Sequence, residues 1–244
     1  MKDRSTSTDG VDAIRIVQGI EELRGRHEGQ GIAILGSGIS LRGYDLSELD
    51  EFDATIAFNN GIRLYLCDYL VLTDYLYAGF LRDVIAVEGE KRRAIVETTV
   101  AKYLRSKPLM DRRGLCPDKE FAKIEAVHEF KQGLANSNDM LCSLGFGELG
   151  AALSLAKWFG AEEVHLFGCD FYSTIEQEDV VGQAQYSGVF HTADGEWDRF
   201  TTPEQRRIVE NFAKNHEFWS DDMLVINRSP WSELKAFDYE LEEE

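Results

Sequence analysis

At 244 residues, with 43% hydrophobic and 29% charged side chains, the chain is long enough to bury a full core without disulfides or a structural metal, and its composition argues against disorder. Acidic residues outnumber basic ones 44 to 26, and the resulting charge of −18 disfavours a nucleic-acid reader or a peripheral binder of anionic membranes. The cysteines Cys67, Cys116, Cys142 and Cys169 form no CxxC pair of the kind metal and redox sites use; Cys67, Cys142 and Cys169 lie in or beside apolar segments and are expected as buried thiols.

Residues 1–10 (MKDRSTSTDG) are polar, lack the apolar core of a secretory signal, and are expected to be a disordered lead-in. No apolar run approaches the ~20 residues that cross a bilayer, so the expected location is cytoplasmic. Val11, Ile14, Val17, Ile20 and Leu23 recur every three residues and predict a helix over Val11–Arg24, broken at Gly25. Ile32–Leu35 reads as a buried strand feeding the tight turn Gly36-Ser37-Gly38. Asp53–Phe58 is a second strand, stopped by Asn59-Asn60-Gly61, and Tyr69–Thr73 a third, stopped by Asp74. Residues 75–105 read as helical with a break near Gly89, and 106–140 as irregular, with Ile124–Phe130 open between strand and short helix. Phe146–Phe159 is an Ala- and Leu-rich helix closed by Gly160, and Glu163–Gly168 a fourth strand leading into Cys169-Asp170-Phe171-Tyr172.

From Ser173 to Thr202 the chain is polar and glycine-dotted, a length of loop that is often functional, as in a lid. Thr202-Pro203-Glu204-Gln205 starts a helix running to about Phe218: Thr caps, Pro fits the first turn, and Glu204 suits the positive dipole end. Met223–Asn227 is a fifth strand, and Glu240–Glu244 an acidic tail. Strands separated by helices predict an α/β fold, a Rossmann-like, mostly parallel sheet with helices on both faces and a long lid-like loop region. In such sheets ligands sit beyond the carboxyl ends of the strands. Here those ends carry Gly36-Ser37-Gly38, Asn59-Asn60, Thr73-Asp74, Asp170–Tyr172 and Asn227-Arg228-Ser229, so small and polar groups converge on one edge.

The turn Gly36-Ser37-Gly38-Ile39-Ser40-Leu41 begins like a dinucleotide fingerprint but ends on Leu41, and a bare GxG also serves any tight turn after a strand. Asn59 and Asn60 can pair with a base or sugar, or simply cap the next element. Asp74 and Asp170 can hold a divalent ion, or hydrogen-bond loop amides. Of the five histidines, His191 lies in the long polar loop, where a titratable base can reach a substrate, whereas His165 alternates inside an apolar strand and reads as structural. Tyr172, Tyr186, Phe190 and Trp197 can line a sugar or base, or form a small satellite core.

The order of a strand, Gly36-Ser37-Gly38-Ile39-Ser40-Leu41, a strand ending at Asn59, and then Gly160-Ala161-Glu162-Glu163-Val164-His165-Leu166-Phe167-Gly168-Cys169-Asp170-Phe171-Tyr172 resembles the bacterial CMP-sialic acid-dependent sialyltransferases of glycosyltransferase family 42 and their uncharacterised relatives. The resemblance spans about residues 31–237, and the late-strand motif is its most specific part. It implies a single nucleotide-sugar-binding domain over 11–239 with a lid at about 173–202, and an inverting, metal-independent transferase. The implied reaction moves sialic acid or a related acidic sugar from a CMP-activated donor to a glycan or other hydroxyl acceptor, with no further cofactor. Gly38 and Ser40 match the nucleotide turn, with Gly36 and Ser37 beside them, and Asn59, next to Asn60, matches an asparagine on the donor nucleotide. Ser143, Gly145 and Gly147 lie near the family's Thr-Ser-Gly segment; Asp170 stands in the late-strand motif, and Ser229 in the closing segment near the nucleotide. Tyr172 matches a tyrosine on the donor phosphate, Tyr186 is the candidate for its second phosphate contact, and His191 is the counterpart of the general base. Ser37 and Ile39 stand where the family has Asn and Pro, and His191 falls nearer to Tyr172 than the family's histidine does. No nucleic-acid or transmembrane partner is implied, and a homo-oligomer is compatible with all of this.

Two other classes remain open. Leu72-Thr73-Asp74 faintly resembles the Val-Thr-Asp of the archaeal 6-hydroxymethylpterin diphosphokinases, which would require magnesium and ATP. A non-catalytic nucleotide- or sugar-binding module would keep the turns and need no base.

Overall fold

The computed structural model describes residues 15–41, 44–58, 61, 64–65, 67–73, 92–97, 124–171, 173–174, 199–200, 202–229 and 232–239. In chain order the strands are β1 (Arg15–Gln18), β2 (Gly31–Leu35), β3 (Ala54–Phe58), β4 (Tyr69–Leu72), β5 (Arg92–Glu97) and β6 (Ile124–Gly133). They continue with β7 (Met140–Cys142), β8 (Glu163–Phe167), β9 (Ser173–Thr174), β10 (Arg199–Phe200), β11 (Leu224–Asn227) and β12 (Asp238–Tyr239). The α-helices among the described residues are α1 (Gly147–Phe159), α2 (Pro203–Lys214) and α3 (His216–Ser220).

Ten strands form one sheet in the order β1-β6-β5-β4-β3-β2-β8-β11-β12, with β7 beside the end of β6, and every pairing in it is parallel. Parallel strands are buried on both faces, which is why β2, β3, β4 and β8 are almost continuously apolar. Alternate residues divide between the faces. Ile32, Ile34, Ile56, Val71, Val164, Leu166 and Val225 join the core under α1, α2 and α3, where Phe146, Phe159, Phe212 and Trp219 meet them. The opposite face carries Leu35, Ala57, Leu70, Leu72 and Phe167, all buried, and is covered around β8 by Tyr44 and Phe52, which flank the 3-10 segment Leu46–Glu51.

The sequence reading holds for β2, β3, β4, β8 and β11, and for α1, which ends on Gly160 in the left-handed conformation at φ 77°. It also holds at the start of α2, where Thr202 and Gln205 form a reciprocal capping box. It is corrected in two places, and in a third the structure decides between two readings. The helix expected over Val11–Arg24 is, within the described residues, strand β1 followed by a 3-10 turn at Glu21–Leu23. Ile16 and Val17 pair with Val127 and His128 of β6, and β-branched side chains suit that pairing better than a helix. The helical reading of 75–105 is wrong at Arg92–Glu97, which fills the gap between β4 and β6 as β5. The segment left open at Ile124–Phe130 is a strand that extends to Gly133.

Chain direction sets the functional geography. From β2 the sheet grows one way through β3, β4, β5 and β6; β8 then returns to the other side of β2, and β11 and β12 follow outward. The carboxyl ends of β2 and β8 therefore flank the point where strand order reverses, the crevice in which open α/β sheets bind ligands.

Candidate functional site

Three turns meet at that crevice. In the first, Gly36 and Gly38 donate backbone N–H bonds of 2.8 Å to the carbonyls of Phe167 and Gly168 at the end of β8. A Cβ at Gly36 would lie 2.4 Å from the Gly168 carbonyl oxygen, and one at Gly38 would lie 2.4 Å from the Asp170 carboxyl carbon. Both glycines are thus required by the close approach of two turns, whatever ligand the turn also takes. Leu41 follows at the end of a single 3-10 turn, Ile39–Leu41.

Asp170 closes the second turn onto the first. Its Oδ2 accepts the Ser40 backbone N–H at 2.8 Å, and its Oδ1 accepts the Ser40 hydroxyl; both residues are buried. The third turn, after β11, locks in the same way. Ser229 Oγ accepts the Cys169 N–H at 3.2 Å, Ser232 Oγ donates to the Cys169 carbonyl at 2.7 Å, and the Glu233 N–H donates to the Asp170 carbonyl at 2.8 Å. Asn227 holds that turn from within, accepting the Ser229 N–H and donating to the Leu234 carbonyl. Ser40, Asp170 and Ser229 are therefore engaged with one another's loops, the loop-amide alternative raised for Asp170. Ser37 and Gly38 are the half-buried members of the first turn, and the Ser37 hydroxyl makes no hydrogen bond to another described residue.

Beyond Asp170 the backbone turns sharply. Phe171 has φ 57°, a left-handed conformation that a residue with a Cβ adopts only at a cost of roughly 1–2 kcal/mol. The bonds to Cys169 and Asp170 from the third turn hold one flank of it, and the Phe171 ring packs on Phe212 of α2 at 6.2 Å between centroids. Two residues later β9 and β10 pair antiparallel, Ser173 with Phe200 and Thr174 with Arg199. The ladder therefore sets Thr174 beside Arg199 as a paired neck.

Ser143, Gly145 and Gly147 form a second group, where β7 passes into α1. Ser143 is buried and donates its N–H to the Gly133 carbonyl at 3.0 Å. Gly145 and Gly147 have φ 86° and 64°; the Gly145 carbonyl accepts Asn211 Nδ2 of α2 at 2.7 Å. Phe212 touches Phe146 as well as Phe171, with ring centroids 5.0 Å apart in the first case, and so ties this group to the end of β8.

Two more side chains from the polar strand ends stand at this edge, one of them bonded to Glu148, which the sequence reading did not single out. Thr73, just past β4, donates its hydroxyl to Glu148 Oε1 in the first turn of α1 at 3.0 Å. Arg228, just past β11, donates its Nε–H to His165 Nδ1 at 2.8 Å. With Nδ1 accepting, the His165 proton sits on Nε2 and faces Glu163, so His165 is a buried structural link, as its place in the strand predicted. Cys67, Cys142 and Cys169 are buried free thiols; burial, and then the neighbouring Asp170 charge, push the Cys169 thiol far above its ordinary range, which excludes it as a nucleophile.

Asn59, Asn60, Asp74, Tyr172, Tyr186 and His191 lie outside the described residues. Phe58 and Gly61 bracket the two asparagines, and a Cβ on Gly61 would come within 2.6 Å of the Leu35 and Gly36 carbonyl oxygens, so that connection starts and ends against the first turn. Among the described residues no helix is long and apolar enough to cross a membrane.

No protein-family model matches the chain, and no curated protein does. Among solved structures the fold is similar to the MAf glycosyltransferase from Magnetospirillum magneticum AMB-1, with a TM-score of 0.61 and 12% sequence identity over 94% of this chain. The match covers 36% of the glycosyltransferase, so this chain corresponds to about a third of that protein, and the likeness is one of fold.

Proposed function

We propose that this protein transfers a sugar from a nucleotide-activated donor to a hydroxyl acceptor, with the donor seated at the β2/β8 crevice. The observation that carries the reading is the three-turn clasp: it fixes a glycine turn, with the half-buried Ser37 on it, at the strand-order reversal of a sheet whose likeness to a glycosyltransferase extends over 94% of the chain. More specifically, the donor is a CMP-activated acidic sugar, sialic acid or a relative, and no cofactor is consumed. This finer reading rests on the motif resemblance.

In the proposed reaction the acceptor hydroxyl gives its proton to His191 as its oxygen bonds to the anomeric carbon. The bond from that carbon to the donor phosphate breaks, and the electron pair leaves on CMP. One displacement inverts the anomeric centre. A hydroxyl is a poor nucleophile near neutral pH, and a histidine with an ordinary pKa of ~6.5 is suited to take the proton. Charge developing on the phosphate needs fixed donors, the role assigned to the Tyr172 and Tyr186 hydroxyls. Asn59 and Asn60, which can both donate and accept, are assigned to the nucleoside.

A thermal-shift series with CMP, CDP, UDP, ADP and ATP, with and without Mg²⁺, tests the donor. A ligand at 100 Kd stabilises by about 2.7 kcal/mol, and cytidine nucleotides should do so while Asn59→Ala removes the effect. Stabilisation by ATP with Mg²⁺ and none by CMP would replace the transferase with a kinase-like reading. His191→Ala should then lower turnover by roughly 10²–10⁴-fold with donor affinity little changed. Normal turnover would remove the base assignment, and a chain that binds nucleotide without turnover in any acceptor screen would be a binding module.

A further inference from the structure

We infer that Glu148 reads the ribose of the donor nucleotide, accepting hydrogen bonds from its 2′- and 3′-hydroxyls and so selecting ribonucleotides over deoxyribonucleotides; this rests on the nucleotide-donor reading above. Glu148 is half-buried in the first turn of α1, and that turn is brought to the carboxyl edge by the two left-handed glycines before it. Its one partner among the described residues is the Thr73 hydroxyl, which donates to Oε1 at 3.0 Å and fixes the rotamer. An ionised carboxylate accepts through two oxygens and about four lone-pair sites, and among the described residues the Thr73 hydroxyl occupies one of them. No Lys, Arg or His among the described residues pairs with it, and a half-buried carboxylate without a cation is stabilised by neutral donors.

The lateral position fits a nucleoside. Thr73 follows β4, which lies two strands from β2, and neighbouring strands are about 4.8 Å apart, so Thr73, with the carboxylate bonded to it, stands roughly 10 Å along the edge from the glycine turn. That is the span from a phosphate on the turn to the sugar and base beyond it. Between them lies the carboxyl end of β3. A vicinal diol offers two O–H donors at the spacing of two carboxylate oxygens. Loss of one such donor leaves a charged acceptor unsatisfied, the kind of mismatch against which a polar site discriminates most strongly.

The test is calorimetric titration of the intact chain and its Glu148→Gln and Glu148→Asp variants with CMP and with 2′-deoxycytidine 5′-monophosphate. The wild type should bind the ribonucleotide at least ~10-fold more tightly, as expected for a hydrogen bond to a charged group. Glu148→Gln should reduce that preference to about 2-fold or less, mainly by weakening CMP, while melting with the wild type. Glu148→Asp, which keeps the charge but draws the oxygens back, should fall between them. A ribose preference that survives unchanged in folded Glu148→Gln overturns the inference while leaving the donor reading intact. If UMP binds in place of CMP, the cytidine assignment falls, and the same ratio measured with UMP and its 2′-deoxy form decides Glu148. If no nucleoside monophosphate binds, both the donor reading and this inference are overturned.

Discussion

Replacing Asp170 by asparagine keeps the shape of the side chain but removes one acceptor oxygen and the charge at the centre of the three-turn clasp. In the wild type both carboxylate oxygens are engaged by Ser40, one by its backbone N–H at 2.8 Å and the other by its hydroxyl. An amide can accept the Ser40 backbone N–H through its oxygen, and its NH₂ then meets the Ser40 hydroxyl, which must turn to accept and loses the acceptor for its own proton. Hydrogen bonds to a charged group contribute about 1.5–3 kcal/mol net, and a buried donor left unmatched costs about 1–3 kcal/mol. Both residues are almost fully buried, so water cannot substitute, and a loss of about 2–3 kcal/mol is expected. For a chain of this size that is a fall of roughly 4–12 °C in melting temperature. Ser40→Ala, which keeps the backbone donor, should cost about 1–2 kcal/mol. Urea midpoints of the wild type, the two single variants and the double variant form a cycle that isolates the pair from the other contacts of Asp170. The coupling should be at least ~1 kcal/mol. Additivity within ~0.5 kcal/mol would show that Ser40 and Asp170 do not act on each other, and the account of the clasp would be wrong.

Gly38→Ala should destabilise by about 3 kcal/mol, since its Cβ would sit 2.4–2.6 Å from Asp170 and the Gly168 carbonyl; Gly29→Ala, with nothing within 4 Å, should cost only the ~1–2 kcal/mol of its left-handed φ, and equal effects in denaturant unfolding would contradict the packing argument. Phe171→Gly should melt above Phe171→Ala by about 1 kcal/mol, because both lose the ring and only glycine relieves φ 57°; the reverse order would mean that the backbone is unstrained. A Cys116→Ser protein should show no thiol reactive with a disulfide reagent when native at pH 8, and Cys67, Cys142 and Cys169 should all react once it is denatured. Because burial raises the Cys169 pKa in the folded state, its protonated form contributes stability that is complete below the unfolded value of ~8.5 and declines as pH rises beyond it. The stability difference between the wild type and Cys169→Ala should therefore shift against the wild type between pH 8 and 10.

What could be read from the sequence was local. Ile32–Leu35 and Glu163–Phe167 declare themselves because a strand buried on both faces must be apolar throughout and must end on residues that can turn. The Thr202–Gln205 cap is legible for the same reason, since its partners lie three residues apart. β1 and β5 were misread because Arg15–Gln18 and Arg92–Glu97 owe their conformation to neighbours far along the chain, and no short-range pattern distinguishes them from helix. The site divided along the same line. Convergence of polar strand ends on one edge follows from chain direction alone. That Ser40 belongs to Asp170, 130 residues away, and that Thr73 belongs to Glu148, 75 residues away, depends on which strands become neighbours. The left-handed turn at Phe171 carries no signal in its own residue type, because the surrounding hydrogen bonds impose it.

The paired neck at β9 and β10 has a consequence for how this protein can change over evolutionary time. Because Thr174 and Arg199 already face each other across the ladder, whatever joins them is, for the sheet, an insertion between two fixed posts. The entropy of closing such a segment grows only as the logarithm of its length, about 0.6 kcal/mol for each doubling. A connection between two such posts can therefore be lengthened or shortened at a nearly constant cost of closure. The sheet and clasp would keep one crevice in place while the connection between the two posts diversified.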